Sequence, residues 1–340
     1  MNKVIVIDSG VMIHRSIFAW GAEKKRRLEQ GNDEDPIMAS YTYLNMCYSI
    51  LKKIGIDKDD VIIIACDARN SWRKAFLEMY KGQRQGLRDA NGHINWDLQY
   101  SLMNKLERQL NESTNWFFIK LEEMFNYADL VLTDVGEKLE IEKYGSISYD
   151  KEFGIESDDI QAVIPKFFPD KEVILVTIDE DLSQLVYYKN CKIFNPNLKS
   201  PTNKAKKGFY KIIDKPLQII TKKVRSGDIS DNIIVDKEND TERDVDIRRC
   251  IIDLLHLPDF VEQPILKALQ GLDYNKKVLY DELPFMNSLA QKFDTIYESK
   301  DIRTWGESVI AHEKRIEKKK EKSRETSAKK KAEEKSKVKV

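Results

Sequence analysis

Three apolar runs, each closed by an aspartate, restrict this chain more than any other feature. Residues 4–7 run into Asp8, residues 61–66 into Asp67, and residues 173–178 into Asp179. Continuous Val- and Ile-rich runs of this length, bounded by polar residues, predict strands buried on both faces, as in a parallel sheet. The carboxyl ends of such strands share one edge, where ligands bind in open α/β sheets. An aspartate after a strand commonly caps a helix or forms a turn, so each acid alone is ordinary. Three together, joined by Glu156, Asp158, Asp159 and Asp181, are not. Like charges about 5 Å apart repel by about 3 kcal/mol per pair at an effective dielectric near 20. A fold that gathers them must supply cations or scatter the acids over separate surfaces. Magnesium suits such a site, because it takes oxygen ligands, keeps several waters and is shared with substrate phosphates.

Between and after these runs the pattern alternates. Helices are predicted within 35–56, opened by Asp35-Pro36, and over 71–80, ended by Lys81-Gly82. A long charged helical stretch is predicted over 96–127, then a short strand within 147–153. A helix at 158–168, a strand at 173–177, a helix at 182–188 and a strand at 192–194 follow. Beyond about residue 205 the β signal fades, and helices are predicted at 216–225, 247–255, 260–269 and 285–297. The expected fold is α/β: a mostly parallel central sheet flanked by helices, then a smaller all-α region. The expected division is a core over 1–205, a helical region over 206–305, and a Lys/Glu-rich tail over 306–340.

Composition narrows the class. A chain of 340 residues can bury a real core. Cys47, Cys66, Cys191 and Cys250 lie far apart without a CxxC pair, so core thiols in a reducing compartment are expected rather than zinc knuckles or disulfides. No stretch approaches the roughly 20 apolar residues of a membrane span, and the first apolar run is too short for a signal peptide; a soluble, intracellular protein is expected. Its 57 basic and 57 acidic residues balance, but unevenly: residues 313–340 hold thirteen Lys or Arg against six Glu. The tail reads as a solvated helix or as disordered, and the body carries the compensating negative charge.

Two further elements belong to the pattern. Ser226-Gly227-Asp228-Ile229-Ser230-Asp231-Asn232 is an ordinary polar turn by itself, although Asp228 and Asp231 would share one face of a helical turn. The segment from Ser71 to Arg84 carries Arg73, Lys74, Lys81 and Arg84 around Tyr80. It reads as a solvated basic face, or as a phosphate-contacting element with Tyr80 available to stack on a base.

In order and spacing these motifs resemble the flap endonuclease / 5′→3′ exonuclease superfamily, and most closely its bacteriophage ribonuclease H branch. Ile7-Asp8, Asp67 to Arg84, Glu156 to Asp159, Asp179 to Asp181, and Gly227 to Asn232 match five ordered motifs over about residues 3–235. The resemblance implies a first magnesium held by Asp8, Asp67, Glu156 and Asp158, and a second held by Asp179, Asp181 and Asp228. Asp159 and Asp231 would act directly or through water, with Mn2+ able to substitute. Arg73, Lys74, Lys81 and Arg84 would touch the scissile phosphate and its neighbours. It further implies hydrolysis near 5′ ends of RNA–DNA hybrid, nicked or flapped duplex during replication. DNA and RNA–DNA hybrid would be its partners, with a single-strand-binding protein or sliding clamp, and it would act as a monomer in the host cytoplasm if phage-encoded. Two alternatives remain: a PIN-like ribonuclease, and a non-catalytic protein that clamps branched DNA. The chain departs from the family in two respects. The segment over about 84–155 is long, and it resembles the family's helical arch or bridge over the cleft. No glycine stands between Asn232 and Gly271, so the Gly-rich hairpin that grips duplex in many members has no counterpart.

Overall fold

In the computed structural model, residues 3–29, 38–56, 60–84, 96–113, 116–139, 151–196, 208–209, 215–236 and 238–275 are described. The three apolar runs form β1 (Lys3–Asp8), β2 (Val61–Cys66) and β6 (Glu172–Val176). They join β3 (Trp116–Lys120), β7 (Cys191–Asn195) and β8 (Gly208–Phe209) in one sheet of order β3-β2-β1-β6-β7-β8. All neighbours are parallel except β8, which runs antiparallel to β7. The chain builds outward from β1 to β3, then returns to place β6 on the other side of β1. The strand order therefore reverses between β1 and β6, and the crevice beyond their carboxyl ends is the expected ligand site of such a sheet.

The period of two is strict in the strands, which is why both faces are buried. Val4, Val6, Ile63, Val173 and Leu175 pack on one face; Ile5, Ile7, Ile62, Ile64, Ile174 and Val176 pack on the other. The second face is covered by residues of α1 (Ser9–Glu29), α2 (Met38–Ile54) and α4 (Trp96–Ser113). The first is covered by α7 (Ser157–Phe167), and around it α8 (Pro216–Ser226), α9 (Glu242–Ile252) and α10 (Asp259–Gln270). Ile220, Val224, Ile247, Ile251 and Ile265 thus belong to the same core as Val163 and Leu175. The described part of the all-α region is an outer layer on the sheet's own core. The short α3 (Arg73–Phe76), α5 (Tyr127–Val131) and α6 (Asp134–Leu139), the two-stranded ribbon β4 (Phe125–Asn126) and β5 (Glu152–Phe153), and 3-10 helices at Asp181–Tyr187 and Ile229–Asp231 complete the described elements.

Several expectations need correction. The helix over 96–127 ends at Ser113, and Trp116–Lys120 is an edge strand rather than part of an arch. Aromatic and β-branched side chains there pack along β2, and pairing with that strand overrides the helical period of the flanking sequence. Helix α1 lies where the sequence pattern predicts no helix, and the helix expected over 71–80 shrinks to four residues followed by turns. The expected start at Asp35-Pro36, the helix at 285–297 and the Lys/Glu tail lie outside the described residues. Among the described residues no helix is long and apolar enough to cross a membrane.

Candidate metal centre

The acidic residues separate into three groups with different surroundings. The first lies at the switch point. Asp8 closes β1 and is buried; it accepts hydrogen bonds from the Val11 amide at 3.2 Å and the Thr177 hydroxyl at 3.4 Å. Asp67 follows β2, is exposed, and accepts the Ser157 amide at 2.9 Å, which draws the N-terminus of α7 against it. A Cβ on Gly10 would lie 3.1 Å from Asp67 Oδ2 and 3.4 Å from Asp8 Oδ1, so the two carboxylates converge over that glycine. Burial, then the charges of Asp67 and Asp179, push the Asp8 carboxyl up to about 7. Burial, then Asp179, likewise drive Asp158 well above the usual carboxylate range, despite Lys81. Asp8, Asp67, Asp158 and Asp179 therefore repel one another without an internal cation to balance them all.

The second group is satisfied from within. Asp159, fully buried, accepts Arg73 Nη2 at 2.6 Å, Arg73 Nη1 at 2.9 Å, Trp72 Nε1 at 2.8 Å and the Glu156 amide at 3.2 Å. Arg73 also donates to Glu156 at 2.7 Å and, through Nε, to the Ile251 carbonyl at 2.8 Å. Its guanidinium lies 4.7 Å from the Trp72 ring. Lys81 Nζ bonds Glu156 at 2.6 Å and the Tyr80 hydroxyl donates to it at 3.0 Å. Burial would raise the Glu156 carboxyl, but Lys81 and Arg73 outweigh it and hold it at about 2. Asp231 accepts Arg84 at 2.8 Å, shares the single Tyr80 hydroxyl proton with Glu156 at the longer distance of 3.2 Å, and through its carbonyl accepts the Lys81 amide at 2.9 Å.

Backbone geometry sets this network. Lys81 adopts φ +55°, a left-handed conformation unusual for a residue with a side chain, and Asn232 opposite it adopts φ +58°. Asn232 Nδ2 donates to the Met79 carbonyl at 2.7 Å, lacing the two turns together. Gly154 is required where the chain approaches α7: a Cβ there would meet the Leu121 carbonyl and Ala68 Cβ, each at 2.4 Å.

The third group surrounds a lysine that the sequence reading did not single out. Lys223, in the last turn of α8, contacts Asp181 and also Asp228, the latter at 2.5 Å. Asp228 further accepts the Ser230 amide at 2.9 Å and the Ser230 hydroxyl at 2.5 Å. Burial, then Asp179, raise the Asp181 carboxyl to about 6 against the pull of Lys223. In Asp228 burial acts upward, but the hydrogen bonds from Lys223 and Ser230 prevail and hold it below its ordinary value. Nothing in the sequence sets Lys223 apart from Lys222; the only signal is its spacing of five residues before Asp228.

The site residues predicted from sequence thus come together in part. Asp8, Asp67, Asp158 and Asp179 gather at the sheet edge, and Asp181 and Asp228 stand across Lys223. Asp159 is corrected from metal ligand to internal partner of Arg73, because its oxygens are occupied and fully buried. Arg73 is corrected from phosphate contact for the same reason, its side chain being only 3% exposed. Tyr80 cannot stack on a base, since its ring is buried. Glu156 and Asp231 face cations of the 73–84 segment, Lys74 is half-buried, and Arg84 is exposed. Among the described residues no three acidic, histidine or cysteine side chains stand ready to clasp an ion as placed. The donor set still fits a hard divalent cation: all donors are carboxylates, and their unbalanced repulsion is what such an ion removes.

No family model matches the chain, and no curated protein matches it. Its structure is similar to that of the T5 D15 protein co-crystallised with metal ions, with TM-score 0.42, 14% identity, and 91% of this chain and 98% of that one covered. It is also similar to the T5 5′-exonuclease with zinc bound, with TM-score 0.41, 17% identity and coverage of 91% and 98%. A mutant of the T5 5′-exonuclease aligns with TM-score 0.39, 13% identity and coverage of 92% and 99%.

Proposed function

We propose that this chain is a divalent-metal-dependent 5′ nuclease that hydrolyses phosphodiesters near the 5′ ends of RNA–DNA hybrid, nicked or flapped duplex. Four mutually repelling carboxylates at the β1/β6 switch point carry this reading, above all Asp8, whose carboxyl is pushed up to about 7. Five motifs in the order of the flap endonuclease / 5′→3′ exonuclease superfamily support it. Asp8, Asp67, Asp158 and Asp179 would hold one ion, and Asp181 and Asp228, with Asp179, a second. Magnesium is the natural occupant, with Mn2+ as a substitute. Divalent ions held there would supply Lewis-acid chemistry, activating a water and offsetting the charge that develops on the attacking and leaving oxygens of an in-line displacement.

The chain's own residues do the rest. Asp67 takes the Ser157 amide on one oxygen and leaves the other toward Asp8. The buried Arg73–Asp159 pair fixes the start of α7, and so the position of Asp158. Lys81, anchored on Glu156, keeps a positive charge beside the acids where phosphate oxygens would gain charge, and Arg84 offers an exposed guanidinium nearby. Primer removal or flap trimming in replication is the role this activity would serve, with DNA and RNA–DNA hybrid as partners and a single-strand-binding protein or sliding clamp as protein contacts. Cleavage of 5′-labelled hybrid, nicked duplex and flap, with magnesium or with chelator, tests the assignment. Metal-dependent products bearing 5′-phosphates support it; tight binding of all three substrates without cleavage would favour the branched-DNA clamp.

A further inference from the structure

We propose that Lys223 is the free protein's own counterion at Asp181 and Asp228, and that a second divalent ion settles there only by displacing it. This rests on the metal-dependent reading above and assigns one residue a role within it.

Lys223 reaches two carboxylates from different parts of the chain, Asp181 after β6 and Asp228 in the turn after α8. Among the described residues no other cation pairs with these two, whereas Asp159, Glu156 and Asp231 are served by Arg73, Lys81 and Arg84. The ammonium therefore stands where an ion bridging Asp181 and Asp228 would stand, and both cannot occupy that position. Arg73 and Lys223 differ most in their freedom to leave. Arg73 is 3% exposed and tied to a backbone carbonyl as well as to two carboxylates. Lys223 is 23% exposed, pairs among the described residues with the two carboxylates alone, and sits on a helix whose burial is carried by Ile220 and Val224. A lysine of this kind can rotate toward water on its four-carbon stem without unpacking the helix.

Asp228, in contrast, is held in place independently of the lysine: its carboxylate keeps both Ser230 hydrogen bonds. At Asp181 it is the main chain that is fixed, its backbone amide donating to Asp179 at 2.9 Å. Displacement thus exposes one prepared ligand and a second whose backbone is already anchored. Because the released ammonium needs an anionic partner, a substrate phosphate and the second ion should strengthen each other's binding, as linkage requires of any two ligands that favour the same state.

The test is Mn2+ binding to the substrate-free full chain, followed by the electron paramagnetic resonance signal of the free ion. Wild type should show two binding events, of which Asp181→Asn removes the weaker. Lys223→Met should tighten that weaker event about tenfold, the scale of two partly exposed ion pairs, and leave the stronger one unchanged. Lys223→Arg, which keeps the charge, should behave as wild type, and Lys223→Gln repeats the test should the Met variant fold poorly. A weaker event that is unchanged or loosened in the folded Met or Gln variant overturns the proposal while leaving the metal-dependent reading intact. Absence of any Mn2+ binding to wild type would overturn both.

Discussion

Asp158 and Asp159 are adjacent in the chain and opposite in circumstance. Asp159 turns inward and meets Arg73, Trp72 and the Glu156 amide; Asp158 turns toward Asp8, Asp67 and Asp179 and is pushed up by burial and by their charge. One helical step of about 100° separates a carboxylate that holds the fold together from one that strains against it. The contrast extends to the groups they belong to. The Arg73 network carries its cations within the chain, whereas the switch-point acids leave their charge to be balanced from outside. A protein selected for stability alone would not keep the second arrangement, and perturbed acids in a crevice mark functional sites.

The largest expected effect breaks the contrast at these two positions. Asp159→Ala leaves Arg73 buried without its main partner and should destabilise the fold by about 3–5 kcal/mol, as loss of one member of a buried pair does. Asp158→Ala should do the reverse in metal-free protein, raising the denaturation midpoint by relieving repulsion. Chemical denaturation in chelator checks both. Equal losses in the two variants would mean that the acids share one structural role.

The next effect concerns rate. Lys81→Ala leaves Glu156 still paired with Arg73, so the fold should survive. Removing a charge preorganised beside the developing phosphate charge should cost about 3 kcal/mol, or about a hundredfold in single-turnover rate, with little change in substrate affinity. A loss confined to affinity would make Lys81 a tether.

The smallest effect is one of pH. Asp8 at about 7 and Asp181 at about 6 keep their protons in the folded protein to higher pH than in the unfolded chain. Their contribution to stability is full below the ordinary carboxylate pKa, about 4, and is lost as pH rises through these folded values. A divalent ion competes with those protons. The rise in Tm produced by magnesium should therefore be small near about pH 5 and grow toward about pH 8. Glu156, held at about 2, acts in the opposite sense: its contribution is present above the ordinary value and fades as pH falls toward about 2. Differential scanning calorimetry across this range measures both trends, and a magnesium effect that ignores pH would argue against carboxylate ligands.

The sequence discloses these two regions unequally. The strands ending at Asp8, Asp67 and Asp179 are legible because burial on both faces demands unbroken Val and Ile, and the switch-point acids follow directly from them. The Arg73–Asp159 pair is not legible, since its partners lie 86 residues apart and an arginine beside a lysine reads as a surface pair. Lys223 is hidden for the same reason, among Lys222 and Arg225 on a basic helix end. Helix α1 escapes because Gly10 at its start argues against a helix. β3 escapes because five residues of an edge strand cannot outweigh the helical pattern around them.

Single-turnover cleavage of a 5′-labelled flap by wild type and Asp67→Asn, measured across a magnesium titration together with flap binding, tests the central claim most directly. Asp67 lies at the converging pair over Gly10, yet it is exposed and, among the described residues, belongs to no buried ion pair, so its replacement by Asn should spare the fold. Wild type should cleave only with the ion present; Asp67→Asn should bind the flap as well or better, because less negative charge repels it, and should not cleave. Cleavage by wild type in chelator, or near-normal turnover by Asp67→Asn, would contradict a metal centre built on the switch-point acids.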